Sequence, residues 1–143
     1  MKLAEPYTFF IDRSLGSFVA GALREAGHAV MVHDDEFEPD ARDVEWLEGV
    51  GKRGWVVLTK DARIRTNAIE RSTLLSSNVA AFMLGRGDLK GPQMAAIFIA
   101  ALPRMTKVLR RWDVPIVATV TALGGVSVLY ANGVRLQPAK HVK

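Results

Sequence analysis

An α/β fold with a mainly parallel sheet is what this 143-residue chain predicts, and three observations predict it. Short apolar runs alternate with stretches of helical periodicity. One run, Val79-Ala80-Ala81-Phe82-Met83-Leu84, is apolar throughout, as expected for a strand covered on both faces. Two other runs stop at or just before an aspartate, Asp12 and Asp61, and such sheets bind ligands at the carboxyl ends of their strands.

The elements follow in order. Tyr7-Thr8-Phe9-Phe10-Ile11 reads as a buried strand that stops at Asp12. Leu15, Phe18, Val19, Ala22 and Leu23 recur at helical spacing, with Ser14 as N-cap and Gly27 as the stop. His28 to Val32 is a second strand. A second helix starts near Asp40 or Ala41, carries Val44, Leu47 and Val50 on one face, and ends around Gly51 to Gly54. Trp55 to Leu58 is a third strand, closed by Thr59-Lys60-Asp61, and a helical stretch from Ala62 carries Ile64, Ala68 and Ile69. After the Val79–Leu84 strand, Gly85 to Asp88 is a loop. A long helix from Pro92 to Arg111 is kinked or divided at Pro103, which lacks the backbone donor. Its apolar stretch, Ala95 to Leu102, suits either core or a homodimer surface. Ile116–Val120 and Val126–Tyr130 form a terminal β-hairpin around Gly124-Gly125, and the polar end from about 132 is expected to fray. The whole, 1–143, is one domain with no internal repeat.

With 49% hydrophobic and 24% charged residues, the chain has material for a core and is neither disordered nor fibrous. The lack of cysteine excludes disulfides, zinc–thiolate sites and cysteine nucleophiles, and is compatible with a reducing cytoplasm. No export signal is visible, and no apolar run approaches the ~18 residues of a membrane span. The net charge of +4 divides unevenly: residues 1–88 carry −3 and residues 89–143 carry +7. Eight acids lie between Asp34 and Glu48 against one base, Arg42. A basic body with a local acidic region suits a protein that attracts a polyanion and holds a cation.

The acids at the strand ends carry the chemistry. If the first and third strands are close in a parallel sheet, Asp12 and Asp61 emerge on one rim, and Asp43 at a helix start aims into the same space. Three such carboxylates repel one another and call for a cation. Oxygen ligands without His or Cys favour Mg²⁺ or Mn²⁺, ions that activate water for phosphodiester cleavage. Each acid alone has a structural alternative as a cap or first-turn charge. The three histidines, His28, His33 and His141, are not arranged for metal-free acid–base cleavage.

Four segments carry a resemblance: Phe10-Ile11-Asp12-Arg13-Ser14-Leu15, Leu23 to Val30, Asp40-Ala41-Arg42-Asp43-Val44-Glu45-Trp46-Leu47, and Val56-Val57-Leu58-Thr59-Lys60-Asp61. Over residues 7–84 the chain resembles PIN-like domains, in particular the toxins of VapC type. The resemblance implies a Rossmann-like α/β/α sandwich and a metal-dependent ribonuclease leaving 5′-phosphate and 3′-hydroxyl ends. The toxin would be silenced by a cognate antitoxin. It also implies Asp12, Asp43 and Asp61 as metal-binding and catalytic acids, with Thr59 behind Asp61 to orient it. Arg13 stands where many relatives carry an acid, as do Ala62, Arg63 and Ile64 after Asp61. A fourth carboxylate would come from Asp40, Asp34 or Asp35. Lys60, Arg63, Arg65, Arg86, Lys90, Arg104, Lys107, Arg110 and Arg111 are candidate phosphate contacts, and Trp46, Trp55 and Trp112 candidate base platforms. A PIN fold that binds nucleic acid or protein without turnover is the alternative. A receiver-like or phosphatase domain explains less of the chain.

Overall fold

The computed structural model describes residues 1–85 and 88–143, apart from the Arg65 side chain. Arg86, and the side chain of Arg65, therefore lie outside the described residues. Four parallel strands come first: β1 (Thr8–Ile11), β2 (Ala29–Val32), β3 (Val56–Thr59) and β4 (Ala80–Leu84). β5 (Ile116–Val120) extends the parallel set, and β6 (Val126–Ala131) and β7 (Val134–Val142) add to it antiparallel. The spatial order is β2-β1-β3-β4-β5-β6-β7. The order of strands thus reverses at β1, with β2 on one side and β3 on the other, which places the ends of β1 and β3 beside one another.

Alternation along the strands divides the core into two layers. Phe9, Ile11, Val56, Leu58, Ala80, Phe82, Ile116 and Ala118 face α1 (Phe18–Glu25) and α6 (Gly91–Arg111). Phe10, Val57, Ala81, Met83 and Val117 face α3 (Asp43–Arg53) and α5 (Ala68–Ser76). The remaining helices are short: α2 (His33–Glu36) and α4 (Arg63–Thr66).

Several expectations are corrected. After β1 the chain makes a 3-10 turn, Arg13–Leu15, and α1 begins only at Phe18 with Ser17 at the N-cap; Ser14 is engaged elsewhere. α3 begins at Asp43, because residues 38–41 form a turn closed by Ala41 N–H to Glu38 O. Ile69 is 71% exposed, and Ile64 and Leu74 fill its expected place in the core. α6 is one helix across Pro103, which sits on its exposed side. Its Met94, Ala95, Ile97, Phe98 and Ala101 are core.

The largest correction is β7, the segment expected to fray. Asn132 and Gly133 both adopt positive φ, 51° and 76°, the two-residue turn whose twist matches a hairpin. β7 then lies along β6 as the sheet edge, carrying Arg135, Pro138 and Lys140. Both strands of this hairpin are irregular. Val117 opposes Tyr130 while Ala118 opposes Val128, so Leu129 is an extra residue in β6. In β7, residues Leu136 to Ala139 stand opposite Leu129 alone, between the pairs Tyr130–Arg135 and Val128–Lys140.

The close approach of α3 to α5 depends on Gly51. A Cβ there would meet the Ser77 carbonyl oxygen at 2.0 Å. This contact sets how near the C-terminal ends of the two helices can stand.

Candidate active site

Asp12 follows β1 in sheet register, its N–H donating to Leu58 O at 3.0 Å. The side chain is only 7% exposed. Its Oδ2 accepts from Thr59 Oγ1 at 2.7 Å and from Ser14 Oγ at 2.8 Å. Ser14 Oγ also accepts from the Lys60 N–H at 3.2 Å, tying the turn after β1 to the end of β3. Thr59 Oγ1 in turn accepts from the Asp61 N–H at 3.0 Å. One fully buried hydroxyl therefore fixes both aspartates, where the sequence pointed to Asp61 alone.

Asp43 is the first residue of α3, a position where a carboxylate also meets the positive end of the helix dipole. Its Oδ1 accepts from Trp46 Nε1 at 2.9 Å. Trp46 is 1% exposed and stacks on Phe10 with ring centroids 5.4 Å apart. Trp46 is thus the wall that holds Asp43, not a platform for bases. Trp55 stacks on Phe10 as well, and Trp112 lies under the Arg111 guanidinium at 4.3 Å.

Asp61 is held by Arg63: Nη2 reaches Oδ2 at 2.7 Å, and Nε reaches Oδ1 at 3.0 Å. These bonds keep the Asp61 carboxyl below its usual range. The same Nη2 lies 3.8 Å from Asp43 Oδ2. Arg63 thus sits between two of the three expected acids and supplies the positive charge they require.

Sequence reasoning missed Glu70. It is the third residue of α5, after the N-cap Asn67, whose Oδ1 accepts from the N–H groups of Ile69 and Glu70. Asn-x-x-Glu is a capping-box spacing, in which the glutamate reaches back to the N-cap N–H. Here the Asn67 N–H already donates to Arg63 O at 2.8 Å. The Glu70 carboxyl instead shares a hydrogen bond with Asp43, and its Oε2 is buried with no partner among the described residues. Burial first, then the Asp43 bond and charge, push Glu70 up to about 7. Two carboxyl groups in one hydrogen bond need either a proton or a cation between them.

Asp12, Arg13, Ser14, Asp43, Asp61 and Arg63 line an open pocket of about 400 Å³, walled by Trp46 and His33. The His33 ring is buried, with Nδ1 2.9 Å from Asp34 Oδ1. Asp34, Asp35 and Asp40, the expected sources of a fourth acid, line a separate depression. Asp34 is further tied to Arg13 at 3.2 Å. Neither Lys60 nor Arg104, Lys107 and Arg111 line the acidic pocket; Lys107 and Arg111 face β7 across another groove.

The donor set is all oxygen, and the orphaned Glu70 Oε2 is what a hard divalent cation would satisfy. The residues fit such an ion. Among the described residues no three carboxylates already converge as ligands, because Arg63 occupies the space between Asp43 and Asp61. Among those residues, too, no helix is long and apolar enough to cross a membrane.

Comparison with known proteins places the chain in a family. The family model for the PIN like domain matches residues 7–86. The chain is 35% identical over 123 residues to a Mycobacterium tuberculosis (strain ATCC 25618 / H37Rv) protein named "Putative ribonuclease VapC45". That match covers 82% of this chain and 88% of the relative. No solved structure matches. The chain belongs to the PIN-like domain family and is of the VapC type.

Proposed function

We propose that this chain is a Mg²⁺- or Mn²⁺-dependent endoribonuclease, the toxin of a toxin–antitoxin pair. In this reading it acts in the cytoplasm until a cognate antitoxin silences it. The observation that carries the reading is the gathering of Asp12, Asp61 and Asp43 at one pocket, with the unpartnered carboxylate oxygen of Glu70 beside them. Asp12, Asp43 and Asp61 hold the cation, and Glu70 serves as the fourth acid. When bound, such an ion supplies charge for the phosphoryl oxygens and acidifies a water.

The other groups have definable tasks. Thr59 and Ser14 lock the Asp12 carboxylate, so its orientation is paid before substrate arrives. Trp46 does the same for Asp43. Arg63, released from Asp61, turns to the RNA phosphate, and Lys60, outside the pocket, meets RNA beyond it. Arg104, Lys107 and Arg111 lie on α6, across the sheet, and meet only RNA that extends round the molecule.

One observation favours the alternative, a PIN fold without turnover: Arg63 already neutralises Asp61 and Asp43. The deciding experiment is cleavage of a mixed RNA pool with Mn²⁺, with EDTA, and by Asp12→Asn and Asp61→Asn. Cleavage that needs metal and falls at least about 10²-fold in both variants supports the nuclease. Cleavage insensitive to EDTA overturns the metal, and an inert intact protein that still binds RNA moves the assignment to the alternative. Mn²⁺ titration calorimetry on the same proteins reads the site independently of turnover.

A further inference from the structure

We propose that the groove between α4–α5 and the β6–β7 hairpin binds the single-stranded RNA segment next to the cleaved bond, with Tyr130 as base platform and Arg135 as phosphate contact. The inference rests on the ribonuclease reading and extends it to a substrate-binding surface.

The groove is a product of the two irregularities in the edge strands. In a regular strand Leu129 and Tyr130 would point to opposite faces. The extra residue in β6 puts both on the face of α3 and α5, where both pack against the second core layer. Bulges commonly re-aim a side chain in this way beside a functional site. The longer excursion of β7, Leu136 to Ala139, moves its backbone out of the ladder and forms the opposite wall. Between them is an open cavity of about 680 Å³, with Thr66 and Arg71 on the helical side and Tyr130, Arg135 and Gln137 on the strand side.

Its position points to the occupant. α4 is four residues long. Arg63, its first residue, closes the acidic pocket, and Thr66, its last, lines the groove. Three residues of helix are about 4.5 Å of rise, so a chain leaving the pocket past Arg63 enters the groove directly. Arg71, the next residue on α5 after the Glu70 set against Asp43, lines the groove as well. Two arginines and a half-buried aromatic ring, with no acid among the described lining residues, suit a phosphate chain with stacked bases. An acidic protein segment would use the arginines but gain little from the ring.

The test measures binding without turnover. Fluorescence anisotropy of a labelled single-stranded RNA of about 12 nucleotides, within the usual range of single-strand sites, is followed in EDTA with the Asp12→Asn protein. Tyr130→Leu and Arg135→Glu are added to that background, with Lys52→Glu, at the far end of α3, as a charge control. Each groove variant is expected to weaken binding about tenfold, the size of one lost stack. Arg135→Glu should also flatten the salt dependence by about one phosphate contact or more. Tyr130→Phe should bind as the parent does, and Lys52→Glu within about twofold. Arg135 is exposed, so its variant reports even if Tyr130→Leu fails to fold. The proposal falls if Arg135→Glu binds as the parent does or if Lys52→Glu weakens binding equally. It falls too if the parent ignores RNA and takes up polyglutamate, which would assign the groove to an acidic protein. Groove variants that bind like the parent, in a protein that cleaves with Mn²⁺, sink the groove and spare the nuclease. Loss of binding in variants of a protein that never cleaves does the reverse.

Discussion

The parallel strands β2-β1-β3-β4 and the antiparallel hairpin β6–β7 obey opposite rules. In the first, register is unbroken, every side chain of β3 and β4 is buried, and the ends of β1 and β3 deliver Asp12 and Asp61 to the rim. In the second, both strands break register and the outer one is mostly exposed and basic. The difference separates two tasks. Positioning carboxylates to a fraction of an ångström needs a framework packed on both faces. A surface that meets a flexible polymer can be built from residues displaced out of the ladder.

Three measurements break or sharpen that contrast. The largest expected effect is on stability. Trp46→Ala removes a fully buried ring under the acids and should cost about 3–5 kcal/mol, whereas Leu136→Ala on the edge strand should cost less than about 1 kcal/mol. Denaturant midpoints compare them, and equal losses would refute the division. Next is Thr59→Val, nearly isosteric but without the hydroxyl that joins Asp12 to Asp61. RNA cleavage should fall about 10- to 100-fold, with a stability loss of about 1–3 kcal/mol from the unpaired groups left behind. The smallest effect is a pH slope. Burial and the neighbouring Asp43 push the Glu70 carboxyl up to about 7 in the folded chain, from an ordinary 4.5. The native state therefore binds more protons than the unfolded one between those values, and metal-free stability should fall as pH rises from about 4.5 through about 7. Glu70→Gln should abolish that part of the slope in thermal melts with EDTA.

The same division governs what the sequence discloses. The apolar runs of β1, β3 and β4 announce themselves because burial on both faces forbids polar residues. Asp12 and Asp61 are visible as the first acids beyond those runs. Asp43 is found by its spacing even though α3 starts two or three residues later than periodicity suggests. Glu70 is hidden for a physical reason. An acid three residues past Asn67 reads as a helix cap, whereas here the Asn67 N–H is already used and the carboxyl meets Asp43. β7 is obscured by its polarity, although Asn132-Gly133 is a strong hairpin signal. The bulge that turns Tyr130 has no signature in composition at all, because register is a property of paired strands.

The sheet's two borders also limit how a second chain can attach. β2 is four residues long and runs straight into α2. β7 is interrupted by an outward excursion containing Pro138 and flanked by Arg135 and Lys140. Short, broken and charged borders offer little continuous main chain for another strand to pair with. Sheet extension is therefore the least available route of assembly. On the reading proposed above, a protein that silenced this one would recognise side chains on its helices or in its grooves, where single substitutions would change which partner is accepted.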